Sequence, residues 1–303
     1  MMVPSARSSR RRADDGFIIV AVLWILGALA ALASIYSIYV TNTAVSLSVN
    51  DDRLQAEALV TAALELTAYR LSAGEAKSRP TEGAFRFRLG RAAVAADFRT
   101  EAARIDLNMA PKELLAGLFA GLGARPDAAE YYADRIIGWR QKGDIAGQNN
   151  EADAYRTAGL SYGPRQAPFS DASELWLVLG LPPALVERAL PFVTVYSGRA
   201  DVDVVDAAPE VIAALPGMTP DRLYGILGQR GPGAANAQIV QGLLGGAQDA
   251  SAGGSTATRV TVRIAFDNGR QVAAEAVILL LDDADAKEPF RVLSWRDDFD
   301  GPD

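Results

Sequence analysis

Residues 16–40 read GFIIVAVLWILGALAALASIYSIYV. The 23 residues from Phe17 to Tyr39 carry no charge, and a helix of that length, rising about 1.5 Å per residue, matches a hydrocarbon core of about 30 Å. The stretch is long enough to cross a membrane. Arg7, Arg10, Arg11 and Arg12 precede it, whereas Thr41, Asn42 and Thr43 follow and no Lys or Arg occurs before Arg53. The positive-inside rule then keeps the N-terminus in the cytoplasm and puts everything after Val40 on the far side. A secretory signal peptide cut at small residues such as Ala31 to Ala33 competes with this reading. Its apolar core, however, spans about 7 to 15 residues, and here the run is longer and leads on without a break.

The chain of 303 residues has a net charge of −7 and neither cysteine nor histidine. A Ser-His-Asp triad, a Cys-His pair and a His-ligated zinc site are therefore excluded, while carboxylate chemistry stays open. Disulfides contribute nothing, and the redox compartment cannot be read from cysteine usage. Residues 1–16 read as a targeting leader with four Arg against Asp14 and Asp15, so their removal takes the net charge from −7 to −9. The acidic remainder beyond the apolar run, about 260 residues, suffices for one large or two modest domains. Its charge disfavours polyanions.

After Val40 the pattern becomes one-sided. Leu47, Leu54, Ala58, Ala62, Leu66 and Tyr69 recur at helical spacing among Asn50, Asp51, Arg53, Gln55 and Glu65, which predicts one long helix over 17–71. Gly74 and Pro80 end it. Residues 85–89 (FRFRL) alternate as a strand does, and residues 93–107 form a second extended stretch. Far downstream RVTVRIAF (259–266), the turn residues Asp267, Asn268 and Gly269, and QVAAEAVILLL (271–281) make the clearest hairpin. Strands near residues 90 and 270 with helical patterns between them predict one antiparallel sheet with an interrupted sequence, on which the long helix buries its apolar face.

The interrupting region repeats itself. Leu107-Asn108-Met109-Ala110-Pro111 matches Val205-Asp206-Ala207-Ala208-Pro209 at an offset of 98 residues, and Asn108 and Asp206 are expected to cap helices whose first turn holds the proline. A third phrase, residues 174–182 (ELWLVLGLP), lacks cap and proline but parallels residues 210–218 (EVIAALPGM). Short helix, glycine turn and second helix is the helix-hairpin-helix pattern. That pattern often binds DNA backbone through turn amides, so a membrane-tethered DNA receptor is a rival reading. The surrounding charges oppose it: Asp171, Glu174, Glu187, Asp201, Asp203, Asp206, Glu210 and Asp221 outnumber Arg188, Arg199 and Arg222. The units are read as packing modules, with no nucleic acid as partner.

A basic leader, Gly16-Phe17, the apolar helix, IDLNMAP with ELL, APFSDASELWLVLGLPPALVERALPFVTVYSG, VDVVDAAPEVIAALPGM and a closing hairpin follow in order. This arrangement resembles the minor pseudopilin K family of type II secretion (general secretion pathway protein K) over essentially the whole chain. The resemblance implies an α+β fold in which a pilin-like N-terminal helix packs on an antiparallel sheet carrying a large inserted all-α domain. It divides the chain into a cytoplasmic leader (1–16), a transmembrane helix (17–40), a pilin-like part (41–107), the helical insert (108–200), a second pilin-like part (201–298) and an acidic tail (299–303). It further implies cleavage by prepilin peptidase between Gly16 and Phe17, with methylation of the new terminus and the helix retained.

Most pilins carry a glutamate at the fifth mature position, which partners the N-terminal amine of a neighbouring subunit. That position is Ala21 here. Without a carboxylate the subunit cannot neutralise another subunit's ammonium in the membrane, which suits a filament end. The resemblance accordingly implies a non-enzymatic subunit in the inner membrane, its C-terminal domain periplasmic. It caps a pseudopilus with minor pseudopilins I and J, and with H as a further partner, and faces the secretin or the exported protein. A minor pilin of a type IV pilus is the alternative.

Asp144, Glu151 and Asp153, with Gln148, Asn149 and Asn150, form an oxygen-rich loop that suits calcium without matching an EF-hand. The resemblance implies calcium too, after the tryptophan that Trp139 matches, but Arg140, Gln141 and Lys142 stand where acidic residues are usual. A solvated loop is the preferred reading of the two. Trp139, Trp176, Tyr131 and Tyr132 read as core and interface aromatics, residues 242–254 as a flexible loop, and Asp297 to Asp303 as a solvated tail.

Overall fold

The computed structural model describes residues 11–73, 79–142, 151–230, 242, 250–251, 256–281 and 288–299; in 11–18, 41–51 and 250–251 it describes the backbone only. By contacts the chain forms two units, Met1–Ala58 and Leu59–Asp303. Helix α1 (Arg11–Ser72) runs through the first and into the second. It begins within the leader because nothing in Arg-Arg-Ala-Asp-Asp breaks a helix and a single glycine there costs only about 1 kcal/mol.

In the second unit five strands make one antiparallel sheet in the order β1-β2-β7-β8-β9. They are β1 (Glu82–Leu89), β2 (Ala92–Thr100), β7 (Ala257–Phe266), β8 (Gln271–Leu280) and β9 (Phe290–Asp298). Alternation assigns the faces. Val94, Ala96 and Phe98 pair with Ile264, Val262 and Val260, which pair in turn with Val272, Ala274 and Ala276, and all are buried. The other face carries Asp97, Arg99, Arg259, Thr261, Arg263 and Glu275. The β7–β8 turn has Gly269 at φ +90°, the left-handed conformation such a turn requires, and Asn268 Oδ1 accepts from Arg270 N at 3.0 Å.

Within this unit α1 buries Leu59, Val60, Ala63, Leu64, Ala68 and Leu71, each large apolar side chain contributing about 1.5–3 kcal/mol. Thr67, also buried, donates to Ala63 O at 2.7 Å and so leaves no polar group unmet. The Arg70 guanidinium lies 4.4 Å from the centre of the Phe85 ring on β1.

Between β2 and β7 lies the insert. It is mostly helical: α2 (Lys112–Gly121), α3 (Pro126–Arg140), α4 (Glu151–Thr157), α5 (Pro183–Ala189), α6 (Pro209–Ala213) and α7 (Pro220–Gln229). It also holds two short parallel pairs, β3 (Ile105–Asp106) with β4 (Val193–Thr194) and β5 (Val202–Asp203) with β6 (Ala250–Ser251). A single apolar core, including Leu114, Leu118, Phe119, Ile136, Trp139 and Ile212, runs through it.

Three expectations need correction. Asn108 and Asp206 do not cap helices, because Pro111 and Ala208 occupy the N-cap positions of α2 and α6 and neither makes a side-chain cap bond. The third phrase is not capless: Asp171 accepts from Ser173 N at 2.8 Å and starts a 3-10 turn over Ala172–Leu177. Nor does the chain leave as solvated tail at Asp297. Residues 290–298 are the edge strand β9, and Phe299 is buried with its carbonyl accepting from Arg270 at 2.6 Å.

Candidate functional site

Three features carry what the molecule can do: the apolar segment of α1, a duplicated module in the insert, and the charged seam joining insert to sheet. Ile19–Val40 has a mean hydropathy of 2.4 and is not buried by the described residues. Trp24 is 77% and Tyr39 67% exposed. A helix apolar on every side needs lipid or other apolar helices around it. The segment thus fits a single-pass membrane anchor. Ala21 lies inside it, and Gly16 and Phe17 lie in the helical backbone just before it.

The duplicated module is built on an aspartate. Asp106 Oδ1 accepts from Asn108 N at 2.8 Å while its carbonyl accepts from Ala110 N at 2.8 Å. Asp203 does the same with Val205 N at 3.0 Å and Ala207 N at 2.9 Å. A helix, a left-handed glycine (Gly123, φ +93°; Gly217, φ +70°) and a second helix follow each. An arginine at the end of the second helix then reaches back. Arg140 donates to Leu107 O at 2.5 Å and Ala110 O at 2.8 Å, and Arg230 donates to Val204 O at 2.9 Å and Ala207 O at 2.5 Å.

The structural equivalence therefore has an offset of 97 residues, between Asp106 and Asp203, not the 98 of the proline alignment. One extra residue precedes Pro209, which puts it inside its helix where Pro111 sits at the cap.

Arg140 thus has a positive role in place of the acidic residue whose absence the sequence made conspicuous. Burial lowers its pKa and Asp106 opposes that. Arg140→Met leaves two carbonyls without their donor, and an expected loss of about 2–4 kcal/mol follows, read as a lowered midpoint in urea denaturation. Arg140→Lys recovers only part, since an ammonium lacks the planar fork.

The two aspartates differ in support. Asp106 Oδ2 also accepts from Ser197 Oγ at 3.0 Å and Gly198 N at 2.8 Å. Asp203 has Val205 N alone among the described residues. Burial pushes Asp203 up to about 6 from the usual 3.8, Val205 N pulls the other way, and Asp206 adds to the rise. The folded state therefore favours the protonated form, and this stabilisation is complete below about pH 3.8 and lost as the pH rises through about 6. Asp203→Asn keeps the acceptor without the charge. It should stabilise the fold at pH 7.5 by about 1–3 kcal/mol, read as a raised thermal midpoint, and leave the midpoint nearly unchanged at pH 4.

The seam centres on Glu101, which is wholly buried. Its carboxylate accepts from Arg259 Nε at 2.7 Å and Nη2 at 3.2 Å and from the Thr194 hydroxyl. Arg259 also holds Glu275. Burial draws the Arg259 pKa down, but its two carboxylates carry it above the usual value. The end of β2, strand β4 of the insert and strands β7 and β8 are tied at one point. A second tie joins Arg296 of β9 to Asp171 at 2.6 Å.

The remaining predicted residues are placed as follows. Glu151 pairs with Arg135 at 2.9 Å and Asp153 with Arg156 at 2.5 Å, so each faces a guanidinium, which does not fit a divalent cation. Asp144, with Gln148 to Asn150, lies outside the described residues. Trp139 is buried, donating to Glu174 Oε2 at 3.0 Å and lying 6.0 Å from Tyr155 and Phe169. Trp176 is half exposed. Asn108, expected as a cap, instead bonds Phe169 on both backbone sides, accepting from N at 2.7 Å and donating to O at 3.0 Å. Arg140, Arg230, Arg259 and Glu101 were not legible as functional residues. The faint signal was an arginine closing the second helix of both repeats.

An apolar anchor helix leading into an antiparallel sheet with a helical insert defines a membrane-anchored α+β subunit. Residues 94–198 match the family described as Type II secretion system (T2SS), protein K. The match spans 105 of the 303 residues, and this part of the chain is similar to protein K of type II secretion. Among solved structures it is similar to one chain of the GspK-GspI-GspJ complex of the enterotoxigenic Escherichia coli type 2 secretion system. That likeness has 16% identity and a TM-score of 0.63 and covers 85% of this chain and 99% of the other. Among curated proteins no sequence match is found.

Proposed function

We propose that this subunit caps the tip of a pseudopilus in complex with minor pseudopilins I and J. It is held in the inner membrane by residues 17–40, with the domain after Val40 in the periplasm. In this reading α1 lies on the apolar face of the sheet as in a pilin, and the helical insert forms the broad head. The observation that carries it is the protein K match over residues 94–198, which runs from within strand β2 through the first part of the helical insert, in a chain whose sheet follows an apolar helix. The neighbour's complex with GspI and GspJ supports the same partners here.

Ala21 supports the end position. It offers no carboxylate to the amine of a neighbouring subunit, and a buried ammonium without a partner is costly. The subunit acts by assembly and contact rather than by catalysis. The test is co-expression of the full chain with cognate pseudopilins I and J, extraction in mild detergent and purification through a tag on this chain. The reading requires stoichiometric recovery of both partners. It fails if I and J associate with each other and leave this chain behind.

A further inference from the structure

On the polar side of the sheet two clefts, of about 760 Å³ and 490 Å³, meet at the seam and share Arg104, Arg259 and Glu275. Their arginines are not equivalent. Arg259 is committed to Glu101 and Glu275, and Arg296 to Asp171. Arg104 is half-buried, and its guanidinium has no hydrogen-bond or ion-pair partner among the described residues; only its backbone N–H is used, on Glu101 O at 3.1 Å. Other half-buried guanidinium groups among the described residues make side-chain hydrogen bonds, as those of Arg135, Arg140, Arg199 and Arg230 do. Five donors facing a cleft without an acceptor are therefore an exception within the molecule.

We propose that this cleft is a carboxylate-binding site in which Arg104 receives an acidic side chain from an extended segment of a partner protein. A guanidinium fork fits a carboxylate with two parallel N–H···O bonds. The hydroxyl-bearing Ser173, Tyr196 and Ser294 line the larger lobe and provide neutral donors beside it. Over both clefts Arg99, Arg104, Arg259 and Arg296 stand against Glu82, Asp97, Glu101, Asp171 and Glu275, a net charge of −1, so the site exerts no long-range pull on polyanions and selects by fit at one position. Both lobes are far larger than one carboxylate needs, which favours a peptide over a small free acid. Burial, and then neighbouring Arg259, hold the Arg104 pKa below its usual value, with Glu101 and Glu275 opposing; an arriving carboxylate would reverse that direction. The inference stands independently of the tip placement.

The test uses the full chain in detergent micelles and a fluorescent, end-blocked tetraglutamate peptide, with tetraglutamine and sodium acetate as comparison probes. Saturable binding of tetraglutamate, none of tetraglutamine, and at least tenfold weaker binding to Arg104→Gln with an unchanged melting temperature are expected. Ser294→Asp, which places a carboxylate at the rim without touching Arg104, should weaken binding as strongly. That variant decides the matter if Arg104→Gln fails to fold. Equal binding to wild type and both variants, or no binding to wild type, overturns the proposal. Full displacement by acetate at equal carboxylate concentration also overturns it, since the site would then serve a small acid and not a peptide segment.

Discussion

Gly117→Ala should destabilise the second unit by about 3 kcal/mol, and Gly117→Val should prevent the insert from folding. A Cβ on Gly117 of α2 would stand 2.0 Å from Ala214 O and 2.9 Å from Ala214 C. Both atoms are backbone at the end of α6, so no side chain can rotate away. The helices would have to part by about 1 Å to restore van der Waals contact. That contact joins the first module to the second, so its loss opens the apolar core on both sides. Gly121, at the end of the same helix, has nothing within 4 Å of the corresponding position. Gly121→Ala should therefore leave stability unchanged or raise it by up to about 1 kcal/mol. Thermal melts of the two alanine variants, followed by circular dichroism, separate a steric crossing from a general effect of glycine in α2.

Arg259→Met should cost about 3–5 kcal/mol, because it leaves the wholly buried Glu101 without its main partner. Thr194 still donates, but one neutral hydroxyl does not replace a two-point guanidinium contact. Glu101→Gln in the same chain removes the stranded charge and should restore at least half of the loss. A double-mutant cycle in urea measures this coupling directly. Additive losses would mean that the two residues act separately and that the seam is not the point holding the insert on the sheet.

Legibility followed the range of the interactions. The anchor declared itself because lipid solubility demands an unbroken apolar run, and α1 read correctly as a helix, but the face expected to be buried was the wrong one: Leu54, Ala58 and Tyr69 are exposed, whereas Leu59, Val60, Ala63, Leu64 and Leu71 are buried. The β7–β8 hairpin was readable from RVTVRIAF, a turn with Asn268-Gly269 and the returning run, all local signals. The last strand was not. Phe290–Asp298 reads as FRVLSWRDD; residues 290–296 drew no reading, and from Asp297 the acidic run looked like solvated tail. An edge strand tolerates charge, and even benefits from it, because only one side pairs. Its Arg296 finds Asp171, 125 residues away, and nothing local announces that.

The repeat was visible but misaligned by one residue. Prolines stand out in a sequence, whereas the equivalence is set by Asp106 and Asp203 and by the arginines that clamp them. The intervals from aspartate to arginine also differ, because both helices of the first module are longer, with ten and 15 residues against five and ten. In the same way Gly117 looked like any glycine in a helical pattern; only the approach of Ala214 gives it meaning. Glu101 and Arg259 are 158 residues apart, beyond any argument from spacing.

The central claim is that this chain is a pseudopilin, processed and assembled as one. The most direct measurement is the N-terminal sequence and intact mass of the mature protein extracted from membranes. The account predicts a start at Phe17, a methylated amine and retention of the apolar helix with Ala21 at the fifth position. A start near Ser34, or an uncleaved Met1, would contradict it and deprive Ala21 of its role at the filament end.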